Sequence, residues 1–222
     1  MPRTDVEDRG EVWLRPGDSL RPSSHGDSVT PSPTREREGR ERFFTADTHF
    51  GHKNVIPYCE RPFADVDAMT VGLIDRWNAV VKDGDEVFVL GDFSFYGSGK
   101  THDILANLHG SKILIRGNHD DIKSAEKAVR LGFFQWAPSG RVELGGTEFA
   151  LSHYPYLGQG DSTEVERFAD RRLTDNGGWL LHGHVHREWK QKGRMINVGV
   201  DVWGLAPVRE SEILALVAKG VA

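Results

Sequence analysis

The sequence predicts a single α/β domain, two packed β-sheets flanked by helices over residues 43–222, preceded by an extension of residues 1–42. Three observations predict it. Strand-like and helical patterns alternate from residue 43 to about 131, the order expected of a parallel sheet with crossover helices. The later strand-like runs have little helix between them, which suits a second sheet lying on the first. Composition also changes abruptly at residue 42.

The extension holds five of the ten prolines (Pro2, Pro16, Pro22, Pro31 and Pro33) and pairs eight Arg with nine acidic residues. Such a segment lacks the apolar surface to offset its ordering entropy, so it reads as a disordered polyampholyte and not as a basic nucleic-acid arm. Within it, Val12-Trp13-Leu14 is the one apolar patch.

Strands are expected at 42–46, 86–90, 112–116, 148–152, 179–181 and 195–200, each rich in β-branched, aromatic or leucine side chains and mostly closed by Gly or a turn. Between the first two, Val66, Met69, Leu73, Ile74, Trp77, Val80 and Val81 recur at three- and four-residue spacing until Lys82-Asp83-Gly84-Asp85 stops the helix. Shorter helical patterns cover about 100–108 and 122–131.

Bulk properties exclude several classes. The 222 residues carry 28 Lys and Arg against 33 Asp and Glu, a net charge of −5, which disfavours coating nucleic acid or an anionic membrane by charge alone. A single Cys59 cannot form an intrachain disulfide, and no run approaches the ~20 apolar residues of a membrane span. The start Met1-Pro2-Arg3-Thr4-Asp5 lacks the cationic and apolar regions of a secretory signal, so a cytoplasmic protein with no membrane partner is expected.

Ligands of an open parallel sheet bind beyond the carboxyl ends of its strands. The residues there are consistent in chemistry: Asp47-Thr48-His49, Gly91-Asp92, Gly117-Asn118-His119-Asp120, His153, and His182-Gly183-His184-Val185-His186. With a side-chain period of two, Asp47 shares a face with His49, and His184 with His186. A lone Asp-x-His or Gly-Asp usually marks a turn, and a lone buried His is usually a hydrogen-bonded structural residue. Five such blocks in order are another matter, because crowding so many ionisable groups is costly unless cations hold them together. Imidazole, carboxylate and amide oxygen without thiolate suit Mn, Fe, Zn or Ni.

The ordered set Asp47-x-His49, Gly91-Asp92, Gly117-Asn118-His119-Asp120, His153 and Gly183-His184-x-His186 resembles the calcineurin-like metallophosphoesterase superfamily over nearly all of residues 43–217. The block from Asp47 to Ile56, Arg61-Pro62-Phe63, and the run from Asn197 to Trp203 look like a bacterial and phage branch of predicted phosphoesterases. The resemblance implies one divalent cation on Asp47, His49, Asp92 and His186, and a second on Asp92, Asn118, His153 and His184. Asp92 would bridge them at a separation of about 3.5–4 Å. Mn²⁺ ranks first, with Fe, Zn or Ni as alternatives. It further implies hydrolysis of phosphate mono- or diesters by a metal-bridging hydroxide, with His119 protonating the leaving oxygen. Many relatives orient that His with the second Asp of Gly-Asp-x-x-Asp, where this chain has Gly91-Asp92-Phe93-Ser94-Phe95. Asp120 is the candidate replacement, with a turn or helix-cap acid as its plainer role.

His52, Asn54, Arg61 and Arg116 are candidates for contacting substrate. His182 is assigned to packing behind the ligands, Cys59 to the core, and Trp203 to a pocket wall. A small phosphoester or nucleotide-like substrate ranks first. A nuclease acting on polymeric nucleic acid is second, since no basic stripe is evident, and a non-catalytic scaffold of the same fold is third.

Overall fold

The computed structural model describes residues 12–13 and 39–220 except Ser162. Apart from Val12–Trp13 and residues 39–42, the expected disordered extension lies outside the described residues. Val12–Trp13 (β1) runs parallel beside Gly140 and Arg141.

The chain then forms β2 (Arg42–Thr45), α1 (Val55–Tyr58), α2 (Val66–Val80), β3 (Glu86–Val89), α3 (Ser98–Asn107), β4 (Ser111–Ile115), α4 (Ala125–Leu131) and β5 (Gln135–Ala137). It continues through β6 (Gly140–Leu144), β7 (Thr147–Leu151), β8 (Trp179–His182), β9 (Gln191–Lys192), β10 (Met195–Asn197), β11 (Val208–Arg209) and α5 (Glu210–Lys219). One sheet has the order β11-β2-β3-β4-β5, with β2 to β5 parallel and β11 antiparallel at the edge. The other has the order β1-β6-β7-β8-β10-β9 and mixes both senses. The expected two-sheet α/β architecture is thus present in a single domain.

Strand alternation explains the layering. Phe44, Phe88, Leu90, Ile113 and Ile115 point between the sheets onto Val142, Phe149, Leu151, Leu181 and Ile196. Phe43, Val87, Val89 and Leu114 point the other way onto Met69, Leu73 and Trp77 of α2 and Ile104 and Leu105 of α3. Because both faces of this sheet are covered, its strands read as continuous apolar runs. Asp65 caps α2 by accepting the Ala68 N–H at 2.8 Å, a contact worth about 1 kcal/mol.

The differences from expectation lie in the short elements. The pattern at 122–131 becomes helical only at Ala125, where the Ser124 side chain accepts the Lys127 N–H. β5, β6, β9, β11, α1 and α5 were not expected. They are two to five residues long, apart from α5, which follows β11 with no intervening turn to announce it. Among the described residues, no helix is long and apolar enough to cross a membrane.

Candidate metal centre

Strands β2, β3 and β4 of one sheet and β7 and β8 of the other end together, and the loops leaving them are stitched to one another. Asp47 N–H donates to Gly91 O and His49 N–H to Asp92 O, both at 3.0 Å, and Gly183 N–H donates to His153 O at 3.0 Å. Two glycines are required by close approach. A Cβ on Gly183 would lie 2.4 Å from Asp47 Oδ2, and one on Gly117 would lie 2.3 Å from Asp92 Oδ1. The carboxylates are therefore seated directly on backbone.

Asp47, His49, Asp92, His184 and His186 all have φ between 48° and 71°. That left-handed region is uncommon for non-glycine residues, though Asp and His enter it more readily than most, and it persists where surroundings enforce it. Five of the eight non-glycine residues in this conformation among those described fall in one cluster.

Three imidazoles share one construction. His153 Nδ1 donates to Leu90 O at 2.8 Å, His184 Nε2 donates to Asp161 Oδ1 at 3.2 Å, and His186 Nδ1 donates to Asp201 Oδ2 at 3.2 Å. An acceptor on one ring nitrogen places a proton there and leaves the other nitrogen as the one that can take a metal ion or a second proton. The other nitrogens of His153 and His184 lie 2.9 and 3.0 Å from Asn118 Oδ1. Asp92 Oδ2 is 3.4 Å from His153 Nε2 and 3.7 Å from His49 Nε2. The buried Asp47 Oδ1 and both ring nitrogens of His49 have no hydrogen-bond partner.

Converging ligand atoms and orphaned buried atoms are unfavourable by themselves and fit a divalent cation well. Ligand atoms of Asp47, His49 and His186 lie within 4.8 Å of one another, as do those of Asp47, Asp92 and His153. The protonation pattern carries the same message. Burial pushes the Asp47 carboxyl up to about 6 against the pull of His186 and His153. For His153, burial is outweighed by the Asp92 carboxylate and the ring is raised to about 9. For His186, burial is outweighed chiefly by the Asp201 hydrogen bond and the ring is raised to about 11. Protons thus supply charge that a cation would otherwise bring.

The calcineurin-like phosphoesterase superfamily profile matches residues 43–209. The chain belongs to this superfamily. It is 36% identical over 190 residues to an uncharacterised protein of Methanocaldococcus jannaschii, covering 82% of this chain and 93% of that one. It is 38% identical over 188 residues to the Gene 66 protein of Mycobacterium phage D29, covering 76% and 92% respectively. Among solved structures, a protein of unknown function from Aquifex aeolicus superposes with a TM-score of 0.62 at 28% identity, covering 80% of this chain and all of that one. Phosphoesterases of this superfamily are metal-dependent, and the Asp/His clusters of this chain fit that requirement.

The remaining sequence candidates separate. His119 is exposed at the edge of the cluster, with its N–H on Asp92 Oδ1 at 2.8 Å and its ring 5.7 Å from that of His49. His52 lies at the same edge, stacked on Phe95 at 4.1 Å. Asn54 is exposed and its side chain makes no cap contact with α1. Arg116 is half-buried directly after β4, its N–H donating to Ala137 O.

Two assignments need correction. Asp120 does not reach His119: its carboxylate accepts the N–H groups of Asp92, Phe93 and Gly117 at 2.8–2.9 Å, so it shapes the loop. Arg61 is no free phosphate ligand, because all five of its N–H donors are engaged, by Asp201, Asp47 O, Thr48 O and Met69 Sδ. Trp203 donates to Asn197 O and packs on the inter-sheet core. His182 and Cys59 are buried as expected.

Sequence reasoning missed Asp161, Asp201 and Phe95. Asp201 lay in a quoted motif without a role, and Asp161 sits in a polar connection without periodicity. Phe95 occupies the place of the absent second Asp, and its ring, 42% exposed, lies 4.9 Å from His119 and 5.3 Å from His49.

Proposed function

We propose that this protein is a dinuclear, metal-dependent hydrolase of small or nucleotide-like phosphate mono- or diesters. Asp47, His49, Asp92 and His186 would hold one divalent cation and Asp92, Asn118, His153 and His184 the other, with Mn²⁺ the first candidate. The single observation that carries the reading is the convergence of these seven side chains, three of them imidazoles already fastened at the outer nitrogen. When bound, such cations neutralise phosphoryl oxygens and lower the pKa of water to about 7.

The chain's own residues supply the rest. His119 stands at the open edge of the cluster, where its ring can give a proton to the departing oxygen. Backbone contact with Asp92 and ring contact with Phe95 locate it, in place of a carboxylate. His52 and Phe95 form one aromatic wall of the mouth, and Tyr58, 56% exposed and 5.6 Å from the His186 ring, forms another. Aromatic walls of this kind favour leaving groups with an apolar face.

The test is hydrolysis of bis-p-nitrophenyl phosphate and p-nitrophenyl phosphate by metal-stripped protein after Mn²⁺ or Ni²⁺ is restored. Turnover that returns with metal in the wild type and not in Asp92→Asn is the expected result. Equal rates for the two proteins under every metal would refute the enzyme reading.

A further inference from the structure

We propose that Asp161 is the positioning residue of the second cation site, fixing the His184 tautomer that turns Nδ1 toward Asn118 and His153. This rests on the reading of His184 as a ligand and adds a residue that reading does not contain. Asp161 lies 23 residues before His184, in the connection between β7 and β8 that also delivers His153. Its side chain is 1% exposed.

The surrounding charges show how it is held there. Arg172, whose side chain is fully buried, donates to Asp161 Oδ2, Gly160 O and Arg167 O. The Arg167 N–H and guanidinium each reach Asp161 at 3.0 Å. The two guanidinium groups are matched by two carboxylates, Asp161 and Glu166, so the group is neutral without a cationic His184. Asp161 takes a hydrogen bond from Nε2–H of a neutral ring, and the lone pair then resides on Nδ1. The other two fastened imidazoles are held by Leu90 O just after β3 and by Asp201 after β10, so of the three only His184 is fastened by Asp161. Occupancy of the second site is thereby tied to Asp161, while the first site is not.

Metal-stripped, full-length protein titrated with Mn²⁺, with free Mn²⁺ followed by electron paramagnetic resonance, tests this. Wild type should take up two ions. Asp161→Asn should keep the first at wild-type affinity and bind the second about 10- to 100-fold more weakly. Glu166→Gln is the control for loop order, because Glu166 meets Arg172 and Gly158 N–H without touching His184. It should bind both ions as wild type does. Wild-type binding of both ions by Asp161→Asn, or equal weakening by Glu166→Gln, overturns the proposal. Should Asp161→Asn fail to fold, ¹⁵N NMR of Zn²⁺-loaded wild type decides: a proton on His184 Nε2 supports the proposal and a proton on Nδ1 overturns it. A wild type that takes up no divalent ion defeats the functional reading itself, a different outcome from a selective loss in the variant.

Discussion

Asp201 binds His186 Nδ1 at 3.2 Å through the same carboxylate that receives Arg61 Nε and Nη2 at 2.8 and 3.0 Å. The Arg61 and Asp201 side chains are 1% and 2% exposed. Arg61 also gathers the carbonyls of Asp47 and Thr48, so one guanidinium holds both the loop carrying Asp47 and the acid behind His186. Truncating Arg61 takes from Asp201 one of its two cationic partners, leaving His186, and strips the Asp47 and Thr48 carbonyls of their donor. Arg61→Met should cost about 3–5 kcal/mol in urea unfolding of the metal-free protein. Asp201→Asn should weaken the first cation about 10- to 100-fold while sparing the second. Equal losses at both sites would show that this pair does not act through His186.

His119→Ala should lower kcat by about 10²- to 10⁴-fold with metal content retained. The loss should be smallest for nitrophenolate, which departs without help. Phe95→Ala, by freeing the His119 ring, should lower kcat by up to about 100-fold with KM less affected, and Phe95→Leu should recover part of it. Loss of metal from His119→Ala would make that residue structural.

Asp120 is expected to govern stability. Asp120→Asn presents an amide NH₂ to backbone N–H groups that now meet a carboxylate. A loss of about 1–3 kcal/mol in thermal or urea unfolding is predicted, with kcat per metal-loaded molecule within a few-fold of wild type. A collapse of kcat at unchanged stability would restore a direct role in catalysis.

Loading the cluster should release protons. With ring values raised to about 9 and about 11, His153 and His186 are both protonated in the metal-free protein at pH 7.5, and a ligand nitrogen must be bare. The free protein therefore holds more protons than the loaded one, and raising the pH favours loading. Mn²⁺ added to weakly buffered protein at pH 7.5 should release the two ring protons and most of one more from bound water, and affinity should climb from pH 6 to pH 9. A pH-independent affinity would contradict the assignment of these two rings.

The sequence made the strand-end residues legible because β2, β3, β4, β7 and β8 are apolar runs that stop abruptly at Gly, Asp or His. Topology then brings those ends together. α2 was legible to within one residue, since seven apolar side chains repeat on one face above a clear stop. The residues behind the ligands were not legible. Asp161 and Asp201 act through a single hydrogen bond each to a histidine, and no period or spacing encodes such a contact. Arg61 and Asp120 misled for a related reason. A charged residue near a motif reads as available to substrate, and only packing reveals that backbone groups already engage it.

The most direct test is anomalous diffraction at the manganese edge from crystals grown with Mn²⁺. Two peaks about 3.5–4 Å apart, with Asp92 between them and Asn118 beside one only, are predicted. A single peak, or peaks remote from Asp92, would contradict the account.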